Sequence, residues 1–193
     1  MEYYDKLVGE LAKDLSEHQN LILLIGLAGC GKTSLAMTLI KQAELQKTTR
    51  VCLDSIITME SGYNYDIELR NFYREIEFET AKKSLESGYN LVVDDTNITK
   101  EIRKLFIDIA KQYRAIQTVG IYFNIPLHCC IERRTNDPSL AIREKYSQKT
   151  DWGEVIKKQS DIVEEPCLTE GFDVLFELNE KSSIVKISKH KGL

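Results

Sequence analysis

The first chemical signal is the run Gly26-Leu27-Ala28-Gly29-Cys30-Gly31-Lys32-Thr33, which fits the pattern GxxxxGK[ST]. Glycines at 26, 29 and 31 let a backbone wrap tightly and aim several N–H groups at one anion. A helix beginning near Lys32 adds the positive end of its dipole. Lys32 would neutralise the outer phosphates of a nucleoside triphosphate, and Thr33 would set its hydroxyl on Mg²⁺. Ser34 can add a hydrogen bond in the first helical turn. The expected set for ATP is therefore Gly26, Ala28, Gly29, Cys30, Gly31, Lys32, Thr33 and Ser34, with Cys30 filling a free position of the pattern rather than acting as a thiol. Such a loop implies nucleotide binding and leaves open what becomes of the γ-phosphate.

Carboxylates follow at spacings that suit the same chemistry. Asp54 closes VCLD (51–54), which reads as a strand, and ligands of open α/β sheets gather outside the carboxyl ends of strands. A carboxylate there can take a proton from an acceptor hydroxyl. It can equally cap the following turn, and this residue alone leaves both readings open. Asp94 and Asp95 end NLVVDD (90–95). Asp94 directly follows the apolar run and is the candidate to hold Mg²⁺ together with Thr33. Neighbours on a strand face opposite ways, so Asp95 has a different task, such as orienting Asn97 or an arginine.

These groups need a scaffold, and the pattern supplies one. Tyr4, Leu7, Val8, Leu11 and Leu15 share a helical face. LILLIG (21–26) reads as a buried strand, 32–46 as a helix and 66–87 as a long helix ended by Gly88. Thr99 or Asn97 can cap a helix that runs to about 113. Further strands fall at 115–124 and 172–178, with helices from Pro126 to Arg134 and over 151–163. Alternating strands and helices predict an α/β fold with a five-stranded parallel sheet sandwiched by helices. The tail from 179 can add an edge strand.

Composition narrows the class. The 193 residues suit one domain: an N-terminal helical extension (1–20), a core (21–178) with a small helical lid near 130–150, and a tail (179–193). Apolar residues make up 42%, enough for a packed core, and the longest apolar run, Leu21–Ile25, is too short to span a bilayer. Five cysteines, an odd number without a CxxC pair, read as reduced thiols of a cytoplasmic protein, and the three histidines lack second ligands at metal spacing. A net charge of -4 excludes a globally basic nucleic-acid coat.

The run Asp94-Asp95-Thr96-Asn97-Ile98-Thr99-Lys100-Glu101-Ile102-Arg103 resembles the DxTN-x5-R signature of the polynucleotide kinase-like P-loop kinases, a group with the AAA_33 and zeta-toxin-like ATP-dependent kinases. IYFNIPLHCCIERR (121–134), VIKKQSDIVEEP (155–166) and EGFDVLFEL (170–178) agree with that family in order, so the resemblance spans roughly 20–178. It implies a P-loop kinase fold and transfer of the ATP γ-phosphoryl to a hydroxyl. Asp54 is then the general base, Lys32 and Thr33 serve ATP and Mg²⁺, and Arg133 and Arg134 are the favoured lid arginines, with Arg143 also available. Asp95, Asn97 and Arg103 would support the acceptor or the structure. Two positions depart from the family pattern: Ile57 replaces an arginine that often holds the acceptor phosphate, and Asp137 replaces a residue that is often basic.

Charge bears on the acceptor. Residues 60–79 carry six acids (Glu60, Asp66, Glu68, Glu75, Glu77, Glu79) against Arg70 and Arg74, a local -4 that repels a polyanion. Tyr63 and Tyr65 in the same stretch can stack a base, whereas Phe72 and Phe78 read as core-facing. The lid has a modest basic excess suited to a triphosphate. The expected partners are ATP and a hydroxyl acceptor, most readily a nucleic-acid 5′-hydroxyl. A small-molecule kinase for a nucleoside, sugar or amino-alcohol is the alternative, and a regulatory P-loop ATPase or switch is the third class. The length leaves no room for a phosphatase or ligase domain beside the kinase.

Overall fold

Residues 21–25 are apolar on both faces of the strand, which suits only a position covered from both sides. A computed structural model, describing residues 2–41, 47–62, 64–140 and 149–190, places them there. Strand β1 (Gln19–Ile25) lies at the centre of a six-stranded sheet of order β2-β3-β1-β4-β5-β6. Its neighbours are β3 (Asn90–Val93) and β4 (Ile116–Phe123), both parallel to it. Strand β2 (Thr48–Val51) pairs parallel with β3, and β5 (Val174–Leu178) pairs parallel with β4. The five parallel strands are those expected, and the tail adds β6 (Ile184–Lys189), antiparallel to β5 at the edge.

Alternation along β1 divides the core in two. Ile22 and Leu24 face a layer formed by α1 (Glu2–Leu15), α2 (Lys32–Lys41), α6 (Leu127–Thr135) and α7 (Trp152–Ile162). Leu21, Leu23 and Ile25 face the layer of α3 (Leu53–Ser61), α4 (Arg70–Glu86) and α5 (Lys100–Ala110). Leu7, Val8, Leu11 and Leu15 of α1 are buried in the first layer, on the face that their spacing predicts.

Several local expectations are corrected. Strand β2 ends at Val51, so Asp54 does not end a strand; it sits in the first turn of α3, a helix the sequence pattern does not announce. Cys52 precedes that helix and makes no side-chain cap. The long helix α4 starts at Arg70 rather than near 66. Neither Thr99 nor Asn97 caps α5 with its side chain; Asn97 instead takes a left-handed φ of 47° and donates to the carbonyls of Leu24 and Val93. Phe78 does pack inward, edge-on to Phe106, but Phe72 is exposed and Tyr73 takes the buried place beside it. Tyr63, Arg143 and the lid residues 141–148 lie outside the described residues.

Two buried acid–base groups tie the layers to the strand ends. Arg103 is fully buried on α5 and grips both oxygens of Glu170 at 2.7 and 2.9 Å, while donating to the carbonyls of Asn97 and Glu164. In the same helical layer, Arg74 of α4 contacts the buried Glu77 at 2.5 Å and Asp95 at 3.5 Å. Burial, reinforced by the neighbouring Asp95, pushes the Glu77 carboxyl up to about 9. Glu77 is therefore held neutral, and Arg74 is balanced by Asp95.

Glu170→Ala leaves the Arg103 guanidinium buried without its carboxylate and is expected to cost about 3–5 kcal/mol, read by urea unfolding. Because the folded-state pKa of Glu77 lies above its ordinary value of 4.5, its contribution is fully present below 4.5 and is lost progressively as pH rises from there to about 9. Glu77→Gln is therefore expected to raise Tm relative to the wild type at pH 8 and to bring no gain at pH 4.

Candidate active site

The loop between β1 and α2 is shaped by contacts that only glycine permits at two points. Gly29 has φ 81°, and a Cβ there would lie 2.2 Å from the Cys130 carbonyl oxygen of α6. Gly31 has φ 107°, and a Cβ there would lie 2.4 Å from the Tyr4 hydroxyl of α1. Two helices thus press on the loop from behind. Helix α2 opens at Lys32, whose Nζ donates to the carbonyls of Gly26 and Leu27 at 2.8 and 2.7 Å. The Ala28 N–H donates to Gln159 Oε1 of α7 at 2.9 Å. A glycine-built cradle with a lysine inside it and a helix N-terminus behind it fits a nucleotide triphosphate.

Facing the loop is the end of β3. Thr33 Oγ1 donates to Asp94 Oδ1 at 3.3 Å, and Asp94 Oδ2 accepts from Arg50 Nε at 2.8 Å, with Arg50 Nη2 at 2.7 Å. Burial pushes the Asp94 carboxyl up, against the opposing pull of Arg50, Thr33 and Lys32. A hydroxyl and a carboxylate in contact fit Mg²⁺, which takes few protein ligands and completes its shell with phosphate oxygens and water. Among the described residues there is no cluster of three or more His, Cys, Asp or Glu that would hold a metal by protein alone. Arg50 escaped the sequence reading, since nothing in TTRV says that its side chain crosses from β2 to the neighbouring strand.

Asp95 faces away from the loop. Its Oδ1 accepts the N–H of Leu53 at 3.0 Å, giving α3 the cap that Cys52 does not supply. The next residue is Asp54, exposed at the rim. Cys52, two residues before Asp54, is buried, and burial pushes its thiol up to about 11, so it stays protonated.

The opposite wall comes from the lid side. Arg134 lies over the Trp152 ring at 4.0 Å and pairs with Asp137 at 2.8 Å. Burial opposes ionisation of Asp137, but hydrogen bonds from Ser139 and the Arg134 charge outweigh it and hold the carboxyl below its usual range. The departure from a basic residue at 137 thus gives Arg134 an acid partner. Arg133 Nη2 reaches the Glu180 carbonyl at 3.0 Å, in the turn between β5 and β6.

One open cleft of about 760 Å³ collects Ala28, Gly29, Gly31, Lys32, Thr33, Ser34, Asp54, Asp94, Asp95, Arg133 and Arg134. Tyr4, Arg74, Trp152 and Gln159 also line it, and none of these four was expected there. Gly26 and Cys30 do not line the cleft; Cys30 is buried in the core behind the loop. Asn97 and Arg103 are buried among backbone carbonyls and Glu170, and Ile57 packs in the core.

Comparison with known proteins agrees with this geometry. A family model, AAA_33 (AAA domain), matches residues 21–165. The L-seryl-tRNA(Sec) kinase of Methanococcus maripaludis is 27% identical over 132 residues, which is 66% of this chain and 51% of that protein. The bifunctional polynucleotide phosphatase/kinase of Schizosaccharomyces pombe is 31% identical over 114 residues, 59% of this chain and 21% of that protein. The chain thus spans about half the length of the first relative and about a fifth of the second. Chaetomium thermophilum Kti12, solved in complex with ADP-AlF3, shares the fold with a TM-score of 0.59 at 20% identity, covering 82% of this chain and 88% of that one. The family match runs from within β1 to Glu165 and takes in both the loop and the acid that faces it; the chain belongs to the AAA_33 (AAA domain) family of P-loop proteins.

Proposed function

We propose that this chain is an ATP-dependent kinase that transfers the γ-phosphoryl group to an acceptor hydroxyl. The observation that carries this is the presence of Asp54 at the rim of the same cleft as the phosphate loop. A nucleotide switch has no use for a carboxylate there, whereas a kinase needs one to take the acceptor proton. Lys32 and the loop N–H groups would hold the triphosphate, and Thr33 and Asp94 would hold Mg²⁺, which supplies charge neutralisation when bound. Asp54 orients and deprotonates the hydroxyl. Arg134, steadied by Trp152 and Asp137, offers positive charge across the cleft.

The acceptor we infer is a 5′-hydroxyl on nucleic acid, supported by the relative whose name gives a kinase activity on polynucleotides; the name of the other relative gives L-seryl-tRNA(Sec), which carries a serine hydroxyl as well. A small-molecule acceptor is the second reading, favoured by the acids Glu60, Asp66, Glu68 and Glu75, which stand exposed around α3 and the start of α4. Five free thiols suit a reducing, cytoplasmic setting, and among the described residues no helix is long and apolar enough to cross a membrane.

A transfer panel with γ-labelled ATP tests the acceptor: 5′-hydroxyl DNA and RNA oligomers set against nucleosides, sugars and amino-alcohols. Label on oligomers is expected, and label on small molecules alone overturns the nucleic-acid assignment. Asp54→Asn is expected to lower kcat by about 10²–10⁴-fold with ATP affinity retained. Lys32→Ala is expected to abolish turnover through loss of ATP binding, read by fluorescent-nucleotide titration.

A further inference from the structure

We propose that Gln159 is a contact residue for the terminal phosphoryl group of the nucleotide, offering its side-chain NH₂ to that group; this rests on the kinase function proposed above. Gln159 stands on α7, far in sequence from the loop and the strand ends that carry the other site groups. Its side chain reaches the loop, where Oε1 accepts the Ala28 N–H at 2.9 Å. A primary amide has an acceptor end and a donor end. Ala28 presents a donor, so only the oxygen can face it, and this contact settles which way round the amide sits. The NH₂ is then the end left for the cleft, which Gln159 lines together with Lys32, Thr33 and Asp54. Its nitrogen has no hydrogen-bond partner among the described residues.

Placement on the helix supports the same role. Trp152, Val155 and Gln159 are spaced three and four apart, so they share one face of α7, and all three line the cleft. Trp152 carries Arg134 on its ring, and α7 packs against α6. The lid arginine and the Gln159 amide are thus held by one rigid helix face. A neutral donor also suits this position chemically. A lysine or arginine there would be drawn to Asp137 or Asp94, whereas an amide serves phosphate oxygens without competing for the acids of the site. Its orientation is fixed by the loop before any ligand arrives, so no reorganisation is needed.

Calorimetry on the full chain separates this role from a purely structural tie. Mg²⁺-adenylyl imidodiphosphate, a non-hydrolysable ATP analogue, and Mg²⁺-ADP are titrated into the wild type, Gln159→Glu and Gln159→Leu. Gln159→Glu keeps an oxygen for Ala28 but turns the donor end into a charged acceptor. It is expected to weaken triphosphate binding about 10-fold or more while ADP affinity stays within about 2-fold and Tm is retained. Gln159→Leu is expected to lose triphosphate preference in the same sense. Equal weakening of both nucleotides, or no change in either, overturns the proposal and leaves Gln159 as a structural tie. The triphosphate-to-diphosphate ratio is independent of any acceptor. A wild type that binds the analogue yet phosphorylates nothing in the transfer panel would therefore sink the kinase function while the ratio still decides the case of Gln159.

Discussion

Two adjacent carboxylates directly follow β3 and face opposite ways, and the cleft is organised around that alternation. Asp94 turns to the loop layer, where it meets Thr33 and Arg50. Asp95 turns to the helical layer, where it caps α3 at Leu53 and faces Arg74. Burying either charge is costly without a partner, so each has brought an arginine out of a different element. Arg50 comes from β2 and Arg74 from α4. The period of two along a strand thus becomes a division of labour: one acid for the nucleotide side, one for the helix that carries Asp54.

The loop itself depends on what stands behind it. Gly29 and Gly31 admit no side chain because a carbonyl of α6 and the hydroxyl of Tyr4 already occupy the space. Tyr4 belongs to the N-terminal helix, which lies outside the family match, and its hydroxyl also accepts from Ser182 in the turn before β6. The segments at the two ends of the chain therefore meet at the phosphate loop. Asp14 and Lys189 pair a second time between α1 and β6. The segments outside the family match are in this way part of the site's supporting wall.

The opposite wall works by stacking and pairing. Arg134 spends its charge on Asp137 and its flat face on Trp152, which fixes a flexible side chain at modest cost in entropy. Gln159, on the same helical face as Trp152, ties that helix to the loop. Glu77 is the counterpart on the α4 side: a neutral acid that keeps Arg74 in place without adding a second negative charge beside Asp95.

The sequence by itself determined the loop, the order of the strands, the five-stranded parallel sheet and the pair of acids after β3. These follow from local spacing: glycines where the backbone must turn, apolar runs too short for anything but buried strands, and period-two neighbours. It could not determine what crosses between elements. Helix α3 was missed because its cap, Asp95, lies 42 positions away rather than at the helix start. Arg50, Arg74 and Gln159 carry no local signal, since an arginine on a strand or a glutamine on a helix is usually a solvated residue. Tyr73 is buried where Phe72 was expected to be, because α4 begins later and its buried stripe is set by contact with α3 and β3. Only the tertiary structure brings these groups to one cleft, as burial and pairing there are decided by packing between layers.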